Sequence, residues 1–194
     1  MSPPAAPRQA YHHGDLRSAL LEAGLRLLRS RSVDDLGLRE LAREVGVSAA
    51  AIYRHFPDKN ALMAALAAEG LERLAAAQRR ATRSAGGGEA GFLASGMAYV
   101  RFAVDQPALF RLVFSAACQG DPLDAQPAQA SAALRGLREH IEALLPQDSP
   151  VAERKAAALH AWALVHGIAQ LVLDRQIPAD WPLIERVLMR VSLR

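Results

Sequence analysis

The sequence predicts an all-α fold, with an N-terminal three-helix helix-turn-helix domain, a helical C-terminal domain and about nine helices in all. The 194 residues are 51% hydrophobic but only 5% aromatic, and Ala and Leu dominate, which favours helix over strand. Apolar residues recur at helical spacing between Gly and Pro breaks. Residues 38–56 add two short helical patterns on either side of a tight turn.

This helix-turn-helix is the most informative segment. The apolar face of its first helix consists of Leu38, Leu41, Ala42 and Val45. Gly46 follows at a place where a left-handed backbone favours glycine, and Ser48 suits the N-cap of the second helix. The second helix of such a pair can lie in the major groove of B-DNA, so the segment predicts DNA binding. A buried helical hairpin of a larger all-α protein would share the periodicity.

The other helices of the first half are bounded by caps and breakers. Helix one is expected to be capped by Asp15, and its stripe comprises Leu16, Leu20, Ala23 and Leu27. Pro57 ends helix three because the residue before a proline disfavours the helical region. Asp58 can cap helix four, which runs to about Arg83 and ends at the glycines 86–88.

Five more helices are predicted in the second half. Helix five begins near residue 89 and is broken at Pro107, helix six covers residues 109–114, and helix seven covers 134–145. A loop is expected around residues 120–127. Helix eight spans about 151–174 and is apolar nearly all round after Leu159, so neighbours should cover it on several sides. Asp180 can cap helix nine.

Charge and cysteine usage limit the possible partners. The net charge of +3 arises within residues 1–80, which hold twelve Lys+Arg against nine Asp+Glu. This excess permits phosphate binding without establishing it, and an acidic partner is compatible with the same charge. Cys118 is the single cysteine, so no internal disulfide can form. The absence of a signal-like N-terminus and of an uncharged apolar stretch of 18 residues predicts a soluble, cytoplasmic protein with no membrane partner.

No catalytic residue, cofactor or metal is predicted. The chain has no Gly-x-Ser-x-Gly elbow, no phosphate-cradling glycine loop and no paired-carboxylate signature. His160 and His166 are six residues apart on one helix, so their directions differ by about 120° and do not converge on a metal. With no Cys pair, they also fall short of the four ligands that zinc requires. The sequence therefore predicts a protein that is not an enzyme.

Two runs of residues resemble the N-terminal domain of TetR-type transcriptional repressors. They are Tyr11-His12-His13-Gly14-Asp15-Leu16 and the pattern Ala42, Gly46-Val47-Ser48 and Tyr53-Arg54-His55-Phe56-Pro57-Asp58-Lys59. A weaker similarity continues over residues 106–114, and residues 162–167 are similar to the Trp-His-Gly motif of one C-terminal subtype. The resemblance implies an all-helical homodimer that binds operator DNA and is released from it by a small-molecule effector.

The resemblance also implies a domain organisation. The Pro- and Ala-rich composition of residues 1–10 predicts a disordered arm. The resemblance implies that residues 11–57 form the DNA-binding domain, with the helix-turn-helix at 37–56. Residues 58–85 would form the linking fourth helix, and residues 86–194 the regulatory and dimerisation domain. The alternative is an all-helical small-molecule or protein-binding module without operator binding, and the alanine-rich turn is the feature that favours it.

The residues predicted to contact DNA are Gly37, Arg39, Ser48, Ala49, Ala50, Tyr53, Arg54, His55 and Lys59. Positions just after the turn often read bases in this family, but the alanines here offer only close approach and methyl contacts, for example to a thymine methyl. The hydroxyl of Tyr53, the imidazole of His55 and the ammonium group of Lys59 suit phosphates. Arg54 suits a base or a phosphate, and Arg39 a phosphate or solvent. Family members often have Thr at the position of Gly37, where its side chain caps the helix and contacts a phosphate. Gly37 has no side chain and can offer a phosphate only its backbone N–H.

The aromatic and polar-aromatic residues of helices five, six and eight predict a ligand pocket. They are Phe92, Tyr99, Phe102, Phe110, Phe114, Trp162 and His166. Such a lining suits a hydrophobic, aromatic or amphipathic small molecule, with Tyr99 and His166 as polar anchors. Plain core packing would account for the same residues.

Helices eight and nine carry more apolar surface than one small domain needs to bury. Pairing them across a twofold axis gives a four-helix bundle that covers the surplus. The predicted dimer interface consists of Leu171, Leu183, Ile184, Val187, Leu188 and Val191.

Overall fold

The computed structural model describes residues 13–115, 121–126 and 130–190. Within them it contains nine α-helices and one 3-10 helix but no strand, so the all-α prediction is confirmed. The chain divides into two compact units, Met1–Leu66 and Ala67–Arg194. The predicted arm at residues 1–10, Tyr11, His12, Cys118 and the interface residue Val191 lie outside the described residues.

The helix order follows the predicted one. The helices are α1 (His13–Leu27), α2 (Leu38–Val45), α3 (Ala49–Tyr53), α4 (Lys59–Ser84), α5 (Gly88–Asp105), α6 (Pro107–Ser115), α7 (Ala132–Leu144), α8 (Val151–Leu173) and α9 (Trp181–Met189). A short 3-10 helix, Pro122–Asp124, lies where the sequence predicted only a loop.

Three predicted caps are confirmed by their hydrogen bonds. The Ser48 hydroxyl accepts from the backbone N–H of Ala51 at 3.2 Å. The Asp58 and Asp180 carboxylates accept from the third helical N–H of α4 and α9, at 2.7 and 3.0 Å. Each cap satisfies a donor that the helix leaves free, which typically contributes about 1 kcal/mol.

Two helix starts differ from the prediction. α1 begins at His13, so Asp15 lies inside the helix and not at its cap. Pro107 is the first residue of α6 and thus begins a helix as well as ending the one before it. A proline is favourable there because its missing N–H has no intrahelical acceptor in the first turn.

The N-terminal unit buries the apolar faces of its helices around α2, which packs against both α1 and α3. Its fully buried side chains include Leu20, Leu36, Leu41, Ile52 and Leu62. Burying one such side chain stabilises the fold by roughly 1.5–3 kcal/mol. α3 has only five residues and would not be stable alone, so this packing is what keeps it helical.

α5 is the central helix of the C-terminal unit and packs against α6, α7, α8 and α9. Val100, Ile168 and Ile184 form a buried cluster that joins α5, α8 and α9. By length and composition α8 is also apolar enough to cross a membrane. In this structure it instead packs against α5, α7 and α9.

Gly70 of α4 marks a close approach to α6. A β-carbon added there would lie 2.7 Å from Val113 Cγ2 and 2.9 Å from Leu109 Cδ1. Leu109 is buried and valine has a stiff side chain, so neither neighbour can move away without cost.

Gly70→Ala should therefore destabilise the protein. Overpacking costs about 1–3 kcal/mol, which should exceed the gain of about 1 kcal/mol from replacing a helical glycine. Gly136→Ala in α7 is the matched control, because an added β-carbon there meets nothing within 4 Å. Urea unfolding at a single protein concentration should show a lower free energy of unfolding for Gly70→Ala and a slightly higher one for Gly136→Ala. Equal shifts would contradict the proposed close contact.

Candidate nucleic-acid interface and ligand cavity

The turn between α2 and α3 has the geometry that its sequence predicts. Gly46 has φ 77°, in the left-handed region. Its N–H donates to the Arg43 carbonyl at 3.1 Å, and the Val47 N–H donates to the Ala42 carbonyl at 2.9 Å. These bonds satisfy the last carbonyls of α2 and direct the chain into the Ser48 cap of α3.

α3 buries one face and exposes the other. Ala51 and Ile52 are buried on the inner side. The outer side comprises the predicted contact residues Ser48, Ala49, Ala50, Tyr53 and Arg54, all of them exposed. His55 is half-buried just beyond the helix. The structure therefore brings most of the predicted DNA contacts together on one solvent-facing surface, which we call the α3 face.

The predicted contacts of α2 are also accessible. Arg39 is exposed in the first turn. Gly37 is the N-cap, with an extended backbone and no side-chain cap bond. A β-carbon at Gly37 would meet nothing within 4 Å, so space around the α-carbon does not require a glycine there.

The Lys59 side chain was predicted to contact a phosphate, but here its ammonium group binds another part of the protein. Its Nζ donates a hydrogen bond of 2.8 Å to the backbone carbonyl of Asp34, between α1 and α2. The side chain is half-buried, so binding a phosphate would compete with this bond.

Arginines partner acidic and aromatic side chains in the N-terminal unit. Glu40 and Glu44 of α2 pair with Arg31 and Arg26, the second pair at 3.8 Å. The guanidinium of Arg17 lies 5.3 Å from the centre of the Phe56 ring. This contact of Arg17 could not be predicted from the sequence, because nothing in the local pattern places Arg17 over an aromatic residue 39 positions later.

The C-terminal unit contains a cavity of about 700 Å³. Five of the predicted ligand residues line it, namely Phe92, Tyr99, Phe114, Trp162 and His166. Phe102 and Phe110 do not; both are buried in the core. Phe110 stacks on the His166 ring with centroids 5.5 Å apart, so it supports the wall from behind. The aromatic character of a residue does not show whether it lines a cavity or lies in the core. The predicted ligand set therefore included both kinds.

Other wall residues were not predicted from the sequence. They come from α4, α5, α7 and the 3-10 segment and include Gln78, Ser95, Leu134, Leu137, His140, Asp121 and Asp124. The apolar stripe of α7 was visible in the sequence, but only the tertiary fold turns that stripe toward the cavity.

A chain of hydrogen bonds runs along the cavity wall. The Trp162 Nε1–H donates to Tyr99 Oη at 3.4 Å. Tyr99 Oη lies 2.8 Å from His166 Nδ1, and His166 Nε2 lies 3.3 Å from the Gln170 amide. Burial raises the pKa of Tyr99 well above its ordinary value and lowers that of His166. Both groups are therefore neutral at neutral pH.

The 3-10 segment is attached to α7 and α8 by two cations. Arg138 donates to the carbonyls of Pro122, Leu123 and Ala125, at 2.6–3.3 Å. Lys155 Nζ lies 2.7 Å from a carboxylate oxygen of both Asp121 and Asp124. The Lys155 hydrogen bond lowers the pKa of Asp121, so that group is ionised at neutral pH.

The predicted dimer residues fall into two groups. Leu171, Leu183 and Val187 are between 36% and 46% exposed. Ile184, by contrast, is buried in the core, and Leu188 is half-buried and lines the cavity. Within the single chain Ile184 is therefore largely covered, while Leu188 keeps part of its surface exposed. Both lie on the inner face of α9, and helical periodicity alone did not show which face points inward.

His160 and Glu153 are among the exposed residues of α8. Five other exposed residues of this helix are small or apolar, namely Ala156, Leu159, Ala163, Gly167 and Leu171. We call these residues, together with Leu183 and Val187, the α8–α9 stripe. Gly167 has open space around its α-carbon within the protomer.

Comparison with known proteins identifies the two halves of the chain. Residues 20–66 match the family described as bacterial regulatory proteins, tetR family. Residues 92–191, more than half of the chain, match the Tetracyclin repressor-like, C-terminal domain.

One relative and two solved structures are also similar to this chain. An HTH-type transcriptional repressor, Rv1474c, of Mycobacterium tuberculosis is 38% identical over 69 residues, which span 36% of this chain and 37% of that protein. A protein of unknown function from Rhodococcus sp. RHA1 is 33% identical, with a TM-score of 0.70 over 94% of both chains. A TetR transcriptional regulator from the same organism, 20% identical, has a TM-score of 0.57 over 92% of this chain and 94% of its own.

The matches agree with the helix-turn-helix in the N-terminal unit and with the helical C-terminal unit that holds the cavity. Members of this family are transcriptional regulators and not enzymes. The chain belongs to the TetR family of bacterial transcriptional regulators.

Proposed function

We propose that this protein is a cytoplasmic repressor that binds a palindromic operator as a homodimer and leaves it when a small, largely apolar ligand binds. The observation that carries the operator-binding proposal is the α3 face: an intact helix-turn-helix exposes small and polar side chains where DNA would lie. The M. tuberculosis relative is named a repressor, which supports repression over activation.

The side chains of the α3 face suit methyl contacts to thymine and an arginine contact to guanine. Ala49 and Ala50 carry no hydrogen-bonding side chain, but their exposed methyl groups allow close approach to the groove floor. A methyl group contacts the thymine C5 methyl favourably, and the major groove is where that methyl is displayed. Arg54 is the exposed group of this face that suits bidentate recognition of guanine.

The phosphate contacts would surround this face. Tyr53 and Arg39 are exposed on either side of the turn, and Lys59 lies at the start of α4. Lys59 would exchange its bond with the neutral Asp34 carbonyl for a bond to a phosphate, in which donor and acceptor are both charged.

The α8–α9 stripe supports dimerisation. Leu171, Leu183 and Val187 leave a large part of their apolar surface in water in the protomer. The small residues of α8, with Gly167 among them, would allow a partner helix to approach closely. A twofold pairing of these two helices buries the stripe in a four-helix bundle.

The cavity supports the proposal of an effector. Its volume is in the range typical of small-molecule sites, and Phe92, Phe114 and Trp162 give it an aromatic wall. Trp162 and His166 line the cavity while Gly167 faces the α8–α9 stripe, so the run similar to the Trp-His-Gly motif connects the two. A ligand would shift the protein toward a state that fits the operator poorly, to the extent that it prefers that state.

Operator binding should require the dimer. The double variant Leu183→Asp/Val187→Asp places charges in an apolar contact and should yield monomers in light scattering. Gel shift on DNA flanking the protein's own gene should show operator affinity at least about 100-fold lower, because the second half-site no longer adds avidity. Val151→Asp is the matched control, since Val151 is 84% exposed on a different side of α8. A wild-type protein that binds none of that DNA would favour the binding-module alternative.

Thymine methyl recognition predicts an effect of removing single methyl groups from the operator. Replacing thymines of one half-site by deoxyuridine, one at a time, should lower affinity about threefold to fivefold at one position or more, the value of a single methyl contact. Ala50→Gly or Ala49→Gly should abolish that difference. If every substituted operator binds as tightly as the original, the α3 face does not read thymine in this way.

Lys59→Ala should weaken binding to all DNA sequences alike, because a phosphate carries no base information. The slope of log affinity against log salt should decrease by about one unit per half-site. Arg80→Ala removes the same charge from an exposed position of the second unit and should leave the slope unchanged. A normal slope in Lys59→Ala would mean that Lys59 retains its bond to Asp34 in the complex.

A further inference from the structure

The hydrogen-bond chain on the cavity wall has a direction that follows from what each group can donate. The Trp162 indole nitrogen is only a donor, so its 3.4 Å contact makes Tyr99 Oη an acceptor. The Gln170 amide nitrogen, 3.3 Å from His166 Nε2, is likewise only a donor, so that imidazole nitrogen accepts.

A neutral imidazole carries one proton, so the proton of His166 then lies on Nδ1. This nitrogen is 2.8 Å from Tyr99 Oη and donates to it. The lowered pKa of His166, which burial causes, is consistent with a ring that holds a single proton.

Tyr99 Oη therefore accepts from Trp162 and His166, and neither contact uses the hydroxyl hydrogen. Tyr99 lines the cavity, so that hydrogen is available to a molecule bound in it. Because the ring is buried and its pKa is raised, the phenol keeps the hydrogen and acts as a donor.

The charges of the wall restrict the ligand further. Asp121 and Asp124 line the cavity, and among the described lining residues there is no Lys or Arg. Lys155 binds both carboxylates but is not part of the wall. An anionic ligand would meet negative groups and no cation to pair with.

We propose that the cavity takes a neutral, largely apolar ligand that carries a hydrogen-bond acceptor such as a carbonyl oxygen, and that Tyr99 donates to this acceptor. The inference rests on the proposed function only in taking the cavity as the effector site. Tyr99 is then the residue that selects among apolar molecules of one shape.

Rigid tricyclic probes of matched shape test the polarity of this site. Fluorene has no polar group, 9-fluorenone has a carbonyl acceptor, carbazole has only an N–H donor, and fluorene-9-carboxylate is an anion. Dissociation constants are measured by titration calorimetry on the full chain without DNA. Fluorenone should bind roughly fivefold tighter than fluorene, the usual value of one net hydrogen bond. Carbazole should gain nothing over fluorene, and the carboxylate should bind more weakly than fluorene.

Tyr99→Phe removes only the hydroxyl, so the ratio of fluorenone to fluorene affinity should fall to about one. Ser95→Ala is the matched control, because it removes another buried hydroxyl from the same wall. It should leave the ratio unchanged. The wild-type ratios are a sufficient test by themselves if Tyr99→Phe does not fold.

Several results would overturn the inference. They are equal binding of fluorenone and fluorene to the wild-type protein, tighter binding of carbazole than of fluorenone, an unchanged ratio in a folded Tyr99→Phe protein, and no binding of any probe. Gel shift with the same preparations shows whether the protein binds its operator, and so tests the proposed function independently of the ligand assignment. A protein that binds its operator but does not prefer fluorenone contradicts only the ligand assignment.

Discussion

The candidate DNA surface depends on the burial of Ile52 and Phe56. α3 is a single short helix that could not persist in water alone, and its inner face consists of little more than Ala51 and Ile52. Burial of these side chains against α2 and of Phe56 beneath Arg17 holds the outer face toward solvent. The exposed side chains of Ala49, Ala50, Tyr53 and Arg54 are therefore not needed to fill the core of this unit.

In the second unit, the helices that pack around α5 leave a cavity between them. α5 contacts four helices, yet the residues along it do not fill the space between them, and a cavity of about 700 Å³ remains beside Tyr99. Leaving such a space costs dispersion contacts, and proteins retain large ones chiefly at ligand sites. The hydrogen bonds that join Tyr99 to Trp162 and His166 satisfy the buried polar groups of α5 and α8 while keeping the wall in place.

α8 connects the two functions proposed for this unit. Trp162 and His166 face the cavity, whereas Ala163 and Gly167 face solvent on the α8–α9 stripe. A ligand that displaces the wall of this helix would also move the surface proposed to hold the partner subunit. The hydrogen-bond chain ends at Gln170, one residue before the exposed Leu171, so wall and stripe share the same turns of helix.

The local features of this protein were determined by its sequence alone. Gly46 required a left-handed turn, Ser48, Asp58 and Asp180 capped the helices that follow them, and the alternation of apolar stripes with Pro and Gly specified an all-α chain. Each of these depends on interactions over a few residues, where backbone geometry permits few alternatives. The helix-turn-helix could be predicted for the same reason.

The tertiary structure decided everything that depends on long-range contacts. It placed Ile184 and Leu188 inward and Leu183 and Val187 outward on a helix that is apolar on both faces. It also joined Lys59 to the Asp34 carbonyl and separated Phe110 from the wall residues that share its aromatic character. The Tyr99–His166 bond connects residues 67 positions apart. Such pairings depend on how helices cross, and helical periodicity shows that a residue is apolar or polar but not which neighbour it meets.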